Sequence, residues 1–221
     1  MRNFIYRSDL AVDLREEEDF TADHHYEKQI LNQIIVERMT LHSDDDRYAK
    51  KKGKYVSLSF EEIYLEEIRE QLIKVLNQEI VSMLAYLNLS KPQKVLVCGL
   101  GNQQLACDSL GPLLQDELLV SAHLKDHALT PNMPKVALLI PRVKAQTGIE
   151  TFEIIAGTIE KFKPDVVFAI DALATKNLSK VNHVIQLSSA GIQPGSGVGN
   201  HTKALSTEAL GVPLISLGVP T

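Results

Sequence analysis

Two aspartates stand at the ends of apolar runs, where carboxylates can do acid–base chemistry. Asp171 closes Asp165-Val166-Val167-Phe168-Ala169-Ile170-Asp171. Asp108 follows Val95-Leu96-Val97-Cys98-Gly99-Leu100-Gly101-Asn102 after a short turn. Runs of this kind read as buried parallel strands, and in open α/β sheets ligands gather at the carboxyl ends of such strands. Two carboxylates brought together there share one proton and activate a water, because like charges in contact do not both ionise. Each aspartate also has an ordinary reading. Asp108, ahead of Ser109-Leu110-Gly111-Pro112, is placed to cap a helix N-terminus, and Asp171 to cap the turn after its strand.

The other candidate groups make weaker patterns. Gly99-Leu100-Gly101-Asn102-Gln103-Gln104 follows a strand, but Gln104 stands where a dinucleotide fingerprint needs its third glycine, and no Gly-Lys-Ser/Thr follows. Gly101 is expected to let the backbone turn tightly beside Asp108. Gly195-Ser196-Gly197-Val198-Gly199-Asn200 is either a connector or a set of backbone amides close to a substrate. A nucleophilic Ser196 needs His183 or His201 as its base. Cys107 adjoins a carboxylate, which raises a thiol pKa rather than lowering it. Asp108, Asp171 and His201 or His183 form the alternative, metal-binding set.

The elements that must position these residues are legible as an alternation. Residues 61–89 carry apolar side chains at helical spacing and stop at Lys91-Pro92. Strands are predicted at 94–98, 135–140, 165–170, 182–187 and 213–217. Helices are predicted near 108–121 and 149–162, with a short one capped by Ser206. This pattern predicts an α/β domain over 61–221, a mostly parallel sheet flanked by helices. Residues 1–60 are rich in charge, as in Arg15-Glu16-Glu17-Glu18-Asp19 and Lys50-Lys51-Lys52, and read as a solvated or partly ordered extension holding a short strand near Lys54-Tyr55-Val56. The chain stops directly after a strand, so a covering C-terminal segment is expected to be missing.

Composition narrows the function classes. A hydrophobic content of 44% supports a packed core. The formal net charge of -5 and the lack of a basic stripe point away from nucleic acid. No apolar run is long enough to span a bilayer and no signal-peptide core is present, so a cytoplasmic protein is expected. Two cysteines at 98 and 107 make neither a disulfide framework nor a zinc site.

Several segments, in order, resemble the germination protease family of endospore-forming bacteria. They are Arg7-Ser8-Asp9-Leu10-Ala11-Val12, Lys51-Lys52-Gly53-Lys54-Tyr55-Val56, Cys98-Gly99-Leu100-Gly101-Asn102, Asp108-Ser109-Leu110-Gly111-Pro112, Gln146-Thr147-Gly148-Ile149-Glu150-Thr151, Ala169-Ile170-Asp171-Ala172-Leu173-Ala174, Pro194-Gly195-Ser196-Gly197-Val198-Gly199-Asn200, Leu210-Gly211-Val212-Pro213 and Gly218-Val219-Pro220-Thr221. The resemblance implies a fold like that of hydrogenase-maturation proteases and an atypical aspartic endopeptidase without a cofactor, whose catalytic carboxylates are Asp108 and Asp171. It implies small acid-soluble spore proteins as substrates, a location in the spore core, and a tetrameric zymogen that removes a short propeptide around Arg7, Ser8 and Asp9. Gly101, Asn102, Gly197, Gly199 and Asn200 are then expected to bind substrate or an oxyanion. Two local departures stand out: Ala106-Cys107 replaces a usual Thr-Pro before the first aspartate, and Gln193 replaces a usual histidine before Pro-Gly-Ser-Gly.

Overall fold

The computed structural model describes residues 8–16, 23–45, 50–124, 133–194 and 203–221, with backbone only at 14–16. Among these, eight strands form one sheet: β1 (His24–Leu31), β2 (Ile34–Leu41), β3 (Gly53–Ser59), β4 (Lys94–Gly99), β5 (Lys135–Leu139), β6 (Val166–Leu173), β7 (Val184–Ser188) and β8 (Leu214–Pro220). Their order is β1-β2-β3-β7-β8-β6-β4-β5. The helices are α1 (Glu66–Tyr86), α2 (Leu110–Glu117), α3 (Lys144–Thr147), α4 (Thr151–Phe162) and α5 (Thr207–Leu210), with 3-10 turns at Ala11–Glu16, Ala106–Asp108 and Leu178–Lys180.

The sheet is mixed, which corrects the expectation of a mostly parallel one. β4 runs parallel to β5 and β6, and β6 parallel to β8. Beyond β8, every pairing out to β1 is antiparallel. The physical reason lies in the connections. A parallel neighbour needs a long crossover, usually a helix, whereas antiparallel neighbours accept short turns. Helices stand between β4 and β5 and between β5 and β6, but only a 3-10 turn separates β6 from β7, and Asn32-Gln33 alone join β1 to β2.

The described residues before position 60 therefore do not form a solvated extension. They supply β1–β3, and β3 is hydrogen-bonded to β7 along Tyr55–Ser59. β2 buries Ile34 and Val36 on the face covered by α1 and, after its alternation breaks at Glu37-Arg38, Met39 and Leu41 on the opposite face.

The two faces of the sheet are covered differently. On one, α1 lays Ile68, Leu72, Val75 and Met83 over Val56, Leu58, Val95 and Ile215, with α2 packed beside it through Leu110 and Leu114. The acidic Glu66 and Glu67 favour the start of α1 at its positive dipole end. On the other face, α4 covers Leu96, Val167 and Ala169 with Phe152 and Ile155. The rest of that face is covered by the N-terminal segment itself. Leu10 and Val12 pack on Leu173 and Val184, and Ala11 on Met39, Leu41 and Tyr55. Main-chain contacts tie this strap down: Asp9 N–H donates to the Ala174 carbonyl (2.8 Å), and Ala11 N–H to Gln186 Oε1 (2.6 Å). The expected cap on α5 is present, with Ser206 Oγ accepting from Ala209 N–H at 3.2 Å.

Candidate functional site

The carboxyl end of β4 and the last turn of β6 build the site. Leu100 N–H donates to the Ile170 carbonyl at 2.8 Å, so the chain leaving β4 runs against the residue before Asp171. Gly111, in the first turn of α2, packs into the same junction. A Cβ there would lie 2.3 Å from the Leu100 carbonyl oxygen and 2.6 Å from that of Ile170. Only glycine admits this approach of helix to strand. Pro112 is tolerated beside it because a first-turn N–H needs no helical acceptor.

Asp108 sits on the 3-10 turn Ala106–Asp108, ahead of α2. The predicted helix near 108–121 is thus split, and Ser109 occupies the N-cap of α2 without a side-chain cap bond. Asp108 does not cap the helix. Its carboxylate turns back to accept from Asn102 N–H (2.9 Å), and the same N–H also meets the Asp108 carbonyl (2.9 Å). Gly101, at φ 109°, makes this turn; a Cβ there would fall 2.2 Å from the Asp108 carbonyl oxygen. The Asn102 side chain closes the turn by accepting from Gln104 N–H (3.0 Å) and from Gln146 Nε2 of α3 (2.8 Å).

Asp171 lies inside β6, two residues before its end, rather than beyond a strand ending at 170. It pairs with Gly218 of β8, and Gly218 with Gln186 of β7. Residues directly opposed across a sheet share a face, so Asp171 and Gln186 flank a position with no side chain. A cleft of about 870 Å³ reaches Gly218, lined by Asp9, Lys50, Gln186 and Ser216 among others; neither Asp108 nor Asp171 lines it.

The electrostatics separate the two aspartates. Asp171 is only 5% exposed, and its pKa is pushed up to about 8. Burial is the largest cause; the neighbouring Asp108 carboxylate adds to it, the Ala172 N–H opposes it, and Asp9 contributes a further upward push. Asp108 is half-buried, and its pKa is raised by desolvation against the stabilising Asn102 N–H. The charge of Asp108 is thus one of the causes that raise the Asp171 pKa.

A pH dependence of stability follows. Asp171 binds its proton more tightly in the folded chain than in the unfolded one, so between the ordinary carboxylate range and about pH 8 the native state holds more protons and stability falls as pH rises. Asp171→Asn is expected to raise the midpoint of thermal unfolding at neutral pH, with the difference shrinking toward pH 4. Melting curves of both proteins across this range measure it.

The remaining predicted site residues fall as follows. Asn102 offers its amide to Asp108 rather than to an oxyanion, and Gly101 serves the turn. Gly197, Gly199, Asn200 and His201 lie outside the described residues, as do Arg7 and Ser196. Ser8 and Asp9 belong to the strap: Ser8 Oγ donates to Asp13, and the Asp9 carboxylate accepts from Ala174 N–H at 2.8 Å. His183 is exposed, its Nδ1 2.6 Å from the Val181 carbonyl. Among the described residues no three His, Cys, Asp or Glu side chains converge as metal ligands. Cys107 is exposed and Cys98 buried. The sequence had not assigned any role to Gln146 or to the nearness of Asp9. Both residues lie in quoted motifs, Asp9 in one assigned only to propeptide processing, and its effect on the Asp171 pKa is not legible there.

The germination protease family model matches residues 5–221. A germination protease of Bacillus licheniformis is 38% identical over 239 residues, covering 100% of this chain and 64% of its own length. That of Oceanobacillus iheyensis is 35% identical over 234 residues, covering 99% and 64%, and that of Clostridium acetobutylicum 37% over 227 residues, covering 97% and 69%. The chain thus spans about 64% of the length of the first two relatives. A NiFe hydrogenase maturation protease from Thermococcus kodakarensis aligns with a TM-score of 0.37 at 22% identity, over 59% of this chain and 76% of its own. A match that runs through both aspartate-bearing segments and through the N-terminal strap, almost end to end, means that this chain belongs to the germination protease family.

Proposed function

We propose that the chain carries the catalytic centre of an aspartic-type endopeptidase acting on small acid-soluble spore proteins. The observation that supports it most is the pair of interacting carboxylates in unequal environments, at the carboxyl ends of two adjacent parallel strands. Asp171, buried, keeps the proton and donates it to the scissile carbonyl oxygen. Asp108, more exposed and held by Asn102 N–H, acts as the carboxylate that takes a proton from water while the water oxygen attacks the carbonyl carbon. Collapse of the tetrahedral species breaks the C–N bond: Asp108 returns its proton to the leaving amine, and Asp171 recovers its proton from the hydroxyl whose oxygen becomes the product carbonyl. The titration belongs to the pair rather than to either residue.

Germination protease relatives also motivate the wider reading: a zymogen processed near Arg7, Ser8 and Asp9, assembled as a homotetramer, in the cytoplasm of the spore core. No described helix is long and apolar enough to cross a membrane. The test is incubation with a purified small acid-soluble spore protein from mildly acidic to neutral pH, with products read by mass spectrometry and a chelator arm alongside. Discrete fragments that persist with chelator are expected. Cleavage abolished by chelator would replace the aspartic mechanism with the metal-binding alternative built on Asp108 and Asp171.

A further inference from the structure

One residue touches both aspartate-bearing segments. Thr221 follows β8, which lies alongside β6, and its main-chain N–H donates to the Leu173 carbonyl at 3.3 Å, two residues beyond Asp171. Its hydroxyl donates to the Cys107 carbonyl at 2.6 Å, one residue before Asp108. The 3-10 turn carrying Asp108 has few other tethers. Around it, Leu100 N–H holds the Ile170 carbonyl at 2.8 Å, Gly111 packs against Leu100 and Ile170, and Gln146 Nε2 of α3 bonds Asn102 at 2.8 Å.

We propose that Thr221 is a positioning residue that fixes the gap between Asp108 and Asp171, by tying the turn before one carboxylate to the strand end after the other. The proposal rests on the endopeptidase reading only for its kinetic consequence; the geometry stands apart from it. Because Cys107 is exposed, losing the Thr221 hydroxyl leaves the Cys107 carbonyl open to water rather than buried without a partner, and the fold tolerates the change. What changes is the register of the turn. Asn102 N–H still holds Asp108 within its turn, but the turn loses its bond to the end of β8, Asp108 shifts with it relative to Asp171, and its share of the upward push on the Asp171 pKa declines. The other contributors remain: burial within β6, and Asp9, itself held by Ala174 and, through its carbonyl, by Lys50 Nζ (2.6 Å) and Gln186 Nε2 (3.0 Å).

The test compares Thr221→Val, which keeps the shape and removes the hydroxyl, with Thr221→Ser, which keeps the hydroxyl. The primary readout is the carbon-13 carboxyl titration of Asp171 by NMR in the full chain, which needs no peptidase activity. The valine variant is expected to titrate Asp171 at lower pH than the parent, with the serine variant matching the parent and thermal midpoints unchanged in both. If substrate is cleaved, the valine variant should lose about three- to ten-fold in kcat, the scale of one hydrogen bond, at unchanged KM. An Asp171 titration unmoved by valine, or moved equally by serine, overturns the proposal. Absence of cleavage by the parent chain counts against the proposed function alone, since the titration decides the role of Thr221 independently.

Discussion

Asp171→Asn and Asp108→Asn are each expected to lower peptide-bond cleavage by about 10²–10⁴-fold, the range that positioned acid–base groups contribute. The two losses should not add. Removing either carboxylate breaks the same proton-sharing unit, and groups acting as a unit are non-additive when mutated. The double variant should therefore sit close to the worse single variant. The pH profiles should differ as well. In the parent, the alkaline limb is set by loss of the proton that burial and Asp108 hold on Asp171. Asp108→Asn removes one of the upward pushes, so any residual activity should fall off at lower pH. Steady-state rates across pH, with circular dichroism to show an intact fold, check both points. Activity within a few-fold of the parent in either variant would take that residue out of the mechanism.

The second large effect concerns stability. Asp13 is buried, with 1% of its surface exposed. It pairs with Lys180, accepts from Ser8 Oγ, and accepts from Thr175 Oγ1 at 3.2 Å. Removing one member of a buried pair costs about 3–5 kcal/mol, because the other charge is left without compensation. Asp13→Ala is expected to approach that figure in equilibrium denaturation. Lys180 retains some solvent access, its side chain being 17% exposed, which favours the lower end. Since Leu10 is fully buried and burying one such side chain stabilises by about 1.5–3 kcal/mol, release of the strap would also expose apolar surface of Leu173 and Val184. A change within experimental error of the parent would mean that the strap is a surface attachment rather than part of the core.

The strap shows where local pattern stops being informative. Arg15-Glu16-Glu17-Glu18-Asp19 and Lys50-Lys51-Lys52 read as solvated charge, and most charge runs are. Yet Lys50 is buried against the Asp9 carbonyl, its pKa lowered to about 8 by desolvation. Asp9 and Asp13, which favour its charged form, lie roughly 40 residues away in sequence. No window of a dozen residues contains that information. The same holds for strand direction: apolar runs identified β4, β6 and β8, but β7 runs the other way because the connection 174–183 holds only a 3-10 turn, not a helical crossover.

The sequence by itself determined the two aspartates, the strands that carry them, the glycines that let the chain turn beside them, the Ser206 cap and the family. All of these are local properties, set by periodicity, by backbone freedom or by a motif within a few residues. Only the tertiary structure decided that Asp108 holds its own turn instead of capping a helix, that the strands at 24–31, 34–41 and 53–59 extend the sheet, that Asp171 is the buried member of the pair, and that Thr221 reaches both segments. Those outcomes depend on contacts between residues far apart in the chain, where burial and a neighbouring charge, rather than residue type, set what a side chain does.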